Sequence, residues 1–188
     1  ILIADFELKS IAAMAGTIAG VVIAGLIAVV FGKTSHITGM NVNEIETLMY
    51  VGQNSKLDIG GMLFSGILIS SMGAVMDVAM SVATSLHEIK EKSPDISAKE
   101  IFKSGITIGR DMIGTMANTL ILAYVGGSID LVMIIYAYSY QIHQIINMYS
   151  IGIEIMKGIA GTMGIVLTVP FTSLITSLML KKSKKQKN

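Results

Sequence analysis

From Ile11 to Phe31 the chain runs without a single charged side chain. A hydrocarbon core about 30 Å thick is crossed by roughly 20 helical residues, so this run alone meets the requirement for a membrane span. Four further stretches approach it. Ile59–Leu86 is apolar with one acid, Asp77, inside it, and Met112–Ile129 is uncharged and follows Arg110 and Asp111. Leu131–Ile153 lacks Asp, Glu, Lys and Arg but carries Tyr136, Tyr138, Tyr140, Gln141, His143, Gln144 and Asn147, and Gly158–Leu180 is uncharged and contains Pro170. Runs of this length read as helices, because a barrel strand is shorter and alternates. The expected fold class is therefore all-α: a polytopic helical membrane protein with about four transmembrane spans plus one re-entrant or interfacial helical segment.

Composition supports this reading by exclusion. Hydrophobic residues make up 52% of the chain and charged residues only 14%, too few to cover a soluble domain, a disordered segment or a nucleic-acid-binding surface. Mean hydropathy is +0.68. The chain has no Cys, which removes disulfide frameworks, thiolate metal sites and thiol catalysis together. No Walker loop, GxSxG, HExxH or dinucleotide fingerprint occurs, so neither an enzyme nor a cofactor or metal site is expected. His36, His87 and His143 lack metal-ligand spacing. The chain opens on Ile1 with no charged n-region or small-residue cleavage site, and reads as a single transmembrane domain over 1–188, the C-terminal part of a longer protein.

Charge sets the topology. Ser97 and Glu100 form the pattern of a capping box, which predicts a helix start near Ala98. The connection His87–Ser104 holds Lys90, Lys92, Lys99 and Lys103, and the basic tail 181–188 holds Lys181, Lys182, Lys184, Lys185 and Lys187. Both are expected in the cytoplasm, whereas Val125–Met156 has no Lys or Arg and is expected outside. Only an even number of crossings can separate two cytoplasmic segments. Met112–Ile129 and Gly158–Leu180 supply two, so Leu131–Ile153 is expected not to cross once. The alternative is a true fifth span with the lysine tail outside.

Small and polar residues are the candidates for packing and chemistry. Gly66, Ser70, Gly73, Asp77, Ser81, Thr84 and Glu88 recur at steps of three or four, one face of a helix. Asp111, Thr115, Asn118 and Leu122 form a second face, with Gly114 beside them and Arg110 at the edge. These two faces are expected to pack on each other, with Asp77 inside the protein and Leu68, Val75 and Val82 toward lipid. Gly16, Gly20, Gly73, Gly114 and Gly161 are the candidate helix-packing glycines, and Thr168, Thr172 and Thr176 a small polar face. The methionine ridges Met72/Met76/Met80 and Met112/Met116 read as interface filler. A carboxylate deep in an apolar run is costly unless it is paired, protonated or hydrated. Asp77 therefore reads either as a proton- or ion-responsive group, with Asp111, Arg110, Asn118 and Glu88 as further members of the site, or as one half of an Asp77–Arg110 pair that only locks two helices.

The runs MGAVMDVAMSVATSLHEI (Met72–Ile89), SGITIGRDMIGTMANTLILAYVGGS (Ser104–Ser128) and GTMGIVLTVPFTSLI (Gly161–Ile175) resemble the YibE/F-like bacterial membrane proteins. The resemblance extends over most of the chain from about Gly25. It implies a multi-pass protein of the bacterial inner membrane with an upstream span and an extracellular segment, and it carries no established activity. In layout the late helices are also similar to the last four spans of SecD/SecF, relatives of the RND transporters. Gly73–Asp77, His87–Glu88, Arg110, Thr115, Thr119 and Gly126–Gly127 stand at comparable places, although His-Glu-Ile-Lys replaces the R-x-R pattern. The expected function is a membrane-embedded transporter or export component, with a structural or assembly subunit as the alternative. The expected partners are the lipid bilayer and a paired membrane subunit or a second copy, with no nucleic acid.

Overall fold

The computed structural model describes residues 8–36 and 59–186, which are helical almost throughout. Helix α1 is Leu8–Thr34, α2 is Ile59–Lys92 and α3 is Ala98–Gly127. Two short helices follow, α4 at Ile129–Ala137 and α5 at Ile142–Ile146, and then the long α6 at Tyr149–Gln186. The expectations that fall on 1–7, on 37–58 and on Lys187 lie outside the described residues.

Helices α1, α2 and α6 are each long and apolar enough to cross a membrane. Helix α3 is different. It starts earlier than Met112, so it carries Lys103, Arg110 and Asp111, and it meets the same requirement only together with α4, from which it is bent by 53°. The protein thus has three membrane-span-like helices, or four with the bent α3–α4 pair as one. Its start is the expected one. The Glu100 amide donates to Ser97 Oγ at 3.2 Å, and the Ser97 amide donates back to Glu100 Oε2 at 3.0 Å. Those bonds, the Ser97 side chain first, hold the Glu100 carboxyl below the usual carboxylate range.

Leu131–Ile153 does not form one straight span. It is divided among α4, a turn at Ser139, α5 and the start of α6. Ser139 takes the left-handed conformation at φ 52°, uncommon for a residue with a Cβ. The rings of Tyr138 and Tyr140 stand 5.9 Å apart on either side of it. A chain that turns this way presents its tyrosines and amides at the end of the bundle rather than along a hydrocarbon face.

Helix α6 is the centre of the bundle, packed against α1, α2 and α3. Half of its most apolar window is buried, against roughly a quarter for α1 and α2. Between helices in lipid there is little hydrophobic drive, and close van der Waals approach through small residues takes its place. On the α1 side a Cβ added to Gly16 would lie 1.9 Å from Thr172 Oγ1, and one added to Gly20 would lie 1.8 Å from Thr168 Oγ1. On the α3 side Gly105 meets Ser173, Gly109 meets Val169, and Gly161 of α6 meets Leu120 and Tyr124. Thr168, Thr172 and Thr176 are buried, and Thr168 donates to Gly164 O at 2.7 Å, which satisfies its hydroxyl within its own helix.

The two lysine-bearing segments share one end. Lys90, Asp95, Lys99 and Lys181 line a single crevice, which gathers the end of α2, the start of α3 and the end of the span in α6. Lys90 Nζ ties the connection by donating to Pro94 O at 2.7 Å and Ile96 O at 3.0 Å. At the opposite end Leu63, Gly127, Asp130, Ser150 and Lys157 gather around a second crevice. Helix α3 runs away from the lysine end and α6 returns to it, the helix directions that the even-crossing expectation requires.

Candidate functional site

The apolar and polar sides of α2 are reversed from the expected arrangement. Val75 and Val82, expected toward lipid, are 0% exposed, and Leu68 lies under Gly25 of α1. Gly66, Ser70, Gly73, Asp77 and Glu88 are exposed. The reason is the position of α6. Helix α2 has to cover both α6 and α1, and the branched side chains Val75, Val78, Val82 and Leu86 supply the volume that fills that corner. The periodicity is correct and the assignment of its faces is not.

Helix α3 behaves in the same way. Ile101, Gly105, Gly109 and Leu120 face inward, and Arg110, Asp111, Gly114, Thr115, Asn118 and Thr119 are exposed. The expected packing of the Gly73/Asp77/Ser81 face on the Asp111/Thr115/Asn118 face is thus corrected. Helices α2 and α3 do meet, but through Val78, Val82 and Leu86 against Ile101 and Ile108. Of the candidate packing glycines, Gly16, Gly20 and Gly161 stand at close helix approaches, whereas Gly73 and Gly114 have nothing within 4 Å of an added Cβ. Met80, Met112 and Met116 are partly buried filler, but Met72 and Met76 are exposed on the outer side of α2.

The two polar faces nevertheless flank one groove. Leu86 neighbours Gly105, and Ser71 and Leu120 both flank Gly161, so the antiparallel register places Asp77 about level with Gly114. About 22 Å of helix separates Asp77 from Lys92 and about 27 Å separates it from Ile59, which puts it deep in the span. Arg110 and Asp111 lie about one turn nearer the lysine end. Ile89 of α2 and Ile108 of α3 line the same crevice, and Arg110, two residues on, points roughly 200° around the helix from Ile108. That turns it away from α2. Among the described residues no ion pair joins Asp77 to Arg110, and none reaches Asp111. The intrachain lock considered for Asp77 and Arg110 is absent. A charge at the middle of a span costs about 2.5–3.5 kcal/mol on insertion scales, so Asp77 is a large unpaired term, while Arg110 and Asp111 lie nearer the edge of the apolar run, where the cost falls.

A second polar group escaped the sequence reading. Lys157 Nζ donates to Glu154 Oε1 at 2.6 Å, with the two side chains 28% and 26% exposed. The pair sits in the early turns of α6, at the end away from the lysines. Glu154 borders an apolar cavity of about 290 Å³ lined by Ile121, Tyr124, Leu131 and Ile155, and within it the buried Tyr124 hydroxyl has no hydrogen-bond partner. The signal was present as Glu-x-x-Lys, the spacing of a helical ion pair. It lay just before Gly158, where the apolar run begins, and a search confined to uncharged runs passes over it.

The chain matches one family model, that of the YibE/F-like proteins, over residues 1–182. Compared with curated proteins and with solved structures, it matches none. The layout shared with SecD/SecF gains no support from these comparisons.

Proposed function

The chain belongs to the YibE/F-like family, and from that premise we propose that it is a membrane-embedded transport or export component whose α2/α3 polar face forms one wall of a hydrophilic path. One observation carries this reading: Asp77 and Asn118 stand deep in their helices, with Arg110 and Asp111 about one turn nearer the lysine end, on a side that no other part of the described chain covers. A face of that composition is tolerated in hydrocarbon only when it meets water, protein or a moving ion. Asp77 is the proton- or ion-responsive group, because it is the acid farthest from either end of its helix. Asp111, Arg110 and Asn118 modulate its charge from the neighbouring helix, and Glu88 continues the face toward the lysine end. That end is cytoplasmic by the excess of Lys, in the inner membrane of a bacterium.

A second reading, a structural or assembly subunit, draws on the same uncovered face, because a subunit locked into a larger complex also keeps its polar side for its neighbour. Proteoliposomes separate the two. With an imposed membrane potential and a pH-sensitive dye inside, the wild-type chain is expected to pass protons above the empty-vesicle background. Asp77→Asn is expected to return to that background with an unchanged elution profile. A correctly inserted wild-type chain that passes none removes the transport reading and leaves the assembly one.

A further inference from the structure

We propose that the α2/α3 polar face is the contact surface of a homodimer, in which Asp77 of each copy pairs with Arg110 of the other about a two-fold axis along the membrane normal. The inference stands on the uncovered face and not on transport, so the two fail separately.

The argument begins with what the face lacks. It carries two acids and one base with no ion pair inside the described chain, and its glycines Gly66, Gly73 and Gly114 have open space where a Cβ would be. Elsewhere in the same molecule, glycines on the buried faces mark close helix contact, as Gly16, Gly20, Gly105 and Gly109 do. Small residues without a neighbour, next to charges without a partner, among the described residues, describe a surface prepared for a close polar contact that this part of the chain does not make.

The occupant follows from charge. A two-fold axis normal to the membrane brings each residue against partner residues at its own depth and presents the same patch twice. Across such an axis α2 faces α3 of the other copy. Asp77 then looks toward Gly114 of that copy, with its Arg110 about one turn, or about 6 Å, nearer the lysine end. A guanidinium on its flexible stem spans that offset. Arg110 is turned away from its own α2, which is what keeps it from Asp77 within the chain and leaves it free for the neighbour. The Asp77/Arg110 part of the patch is therefore self-complementary in charge, an acid on one helix and a base on the next, both unpaired until a second copy supplies the reciprocal pair, with Asp111 left beside Arg110. Gly73 and Gly114 let the backbones come close enough for the pair to exclude lipid.

The chain has no cysteine, so a single introduced thiol reports on its own surroundings. Gly73→Cys on one copy and Asn118→Cys on a second, differently tagged copy, co-expressed in the full chain and oxidised in native membranes, are expected to give a product of twice the monomer mass. Ile18→Cys, on the exposed side of α1, is expected to stay monomeric. In both copies of that Gly73→Cys and Asn118→Cys pair, Asp77→Arg is expected to reduce the dimer at least tenfold, because it sets two cations against each other. Adding Arg110→Asp is expected to restore at least half of it. The proposal is overturned if the Gly73→Cys and Asn118→Cys copies do not crosslink, if the product has the mass of a different protein, if Ile18→Cys crosslinks equally, or if Arg110→Asp brings no recovery. Should the charge variants fail to accumulate, co-purification of tagged with untagged wild-type copies decides, and its absence also overturns the proposal.

Discussion

The α1/α6 seam and the outer side of α2/α3 are written in nearly the same alphabet and meet opposite fates. Both space Gly, Ser and Thr at helical intervals. In the seam, Gly16 and Gly20 lie under the Thr172 and Thr168 hydroxyls, and the threonines are buried. On the outer side, Gly73 and Gly114 have no neighbour and the residues around them are exposed. The difference lies in the charges. The seam has none within the contact, so the helices close on each other with nothing to desolvate. The outer side has Asp77, Arg110 and Asp111, whose burial is tolerable only when every charge finds its partner. Small-residue spacing therefore says that a helix comes close to something, and the neighbouring charges say whether that something belongs to the same chain.

The sharpest way to break the comparison is to put side chains where each region has glycine. Gly20→Val drives a β-carbon into Thr168 and branched carbons toward Val75, so overpacking is expected to cost about 3 kcal/mol or more. It is measured as a lowered unfolding midpoint in detergent. Gly105→Ala meets both Ser173 and Leu86 and is expected to cost about 1–3 kcal/mol by the same assay. Gly114→Ala meets nothing among the described residues and is expected to leave the monomer unchanged or to raise its stability by up to about 1 kcal/mol, the helix preference for Ala over Gly. If Gly114→Ala destabilised the isolated chain as Gly20→Val does, the contrast between the two regions would collapse.

Two smaller effects refine it. Asp77→Leu is expected to leave the unfolding midpoint of the detergent-solubilised monomer unchanged, since Asp77 has no ion-pair partner among the described residues to lose. A drop there would reveal a contact on the outer side after all. The smallest effect is local to the lysine end. Glu100 is held below its ordinary range in the folded chain, so its contribution is present above the unfolded carboxyl range and is lost as pH falls through the lowered folded value. Amide exchange over 98–103, divided by its intrinsic rate at each pH, is expected to quicken on acidification through that window in the wild type. In Ser97→Ala it is expected to be fast already, with no acid step.

Much of the architecture was legible because it depends on quantities that a sequence states directly. Run length gave α1, α2 and α6, and Ser97 with Glu100 gave the start of α3 to the residue. Lysine counting gave the shared end of α2 and α6, and parity gave the broken course of Leu131–Ile153. What was not legible is which side of an amphipathic helix faces its own bundle. In water the polar side of a helix faces out by default. In a membrane the rule is weaker, because lipid is as apolar as Val75 and Val82, and the decision falls to packing volume supplied by a distant segment. Helix α6 makes that decision for α2 here. The Glu154–Lys157 pair was missed for a simpler reason, because it sits where an apolar run ends and charge is ordinarily discounted as interfacial.

The central place of α6 bears on how the protein is made. A ribosome delivers α1, α2 and α3 to the membrane before the helix that all three pack against. Until α6 arrives, the glycine faces of α1 and α3 have no surface to close on, and the early helices have to wait side by side in lipid as separately stable segments. Its arrival is then a docking event that seats α6 among the three helices made before it. A nascent chain arrested before Gly158 is expected to remain a loose set of helices open to quality-control proteases, and release of the last segment is expected to convert it in one step into the protected bundle.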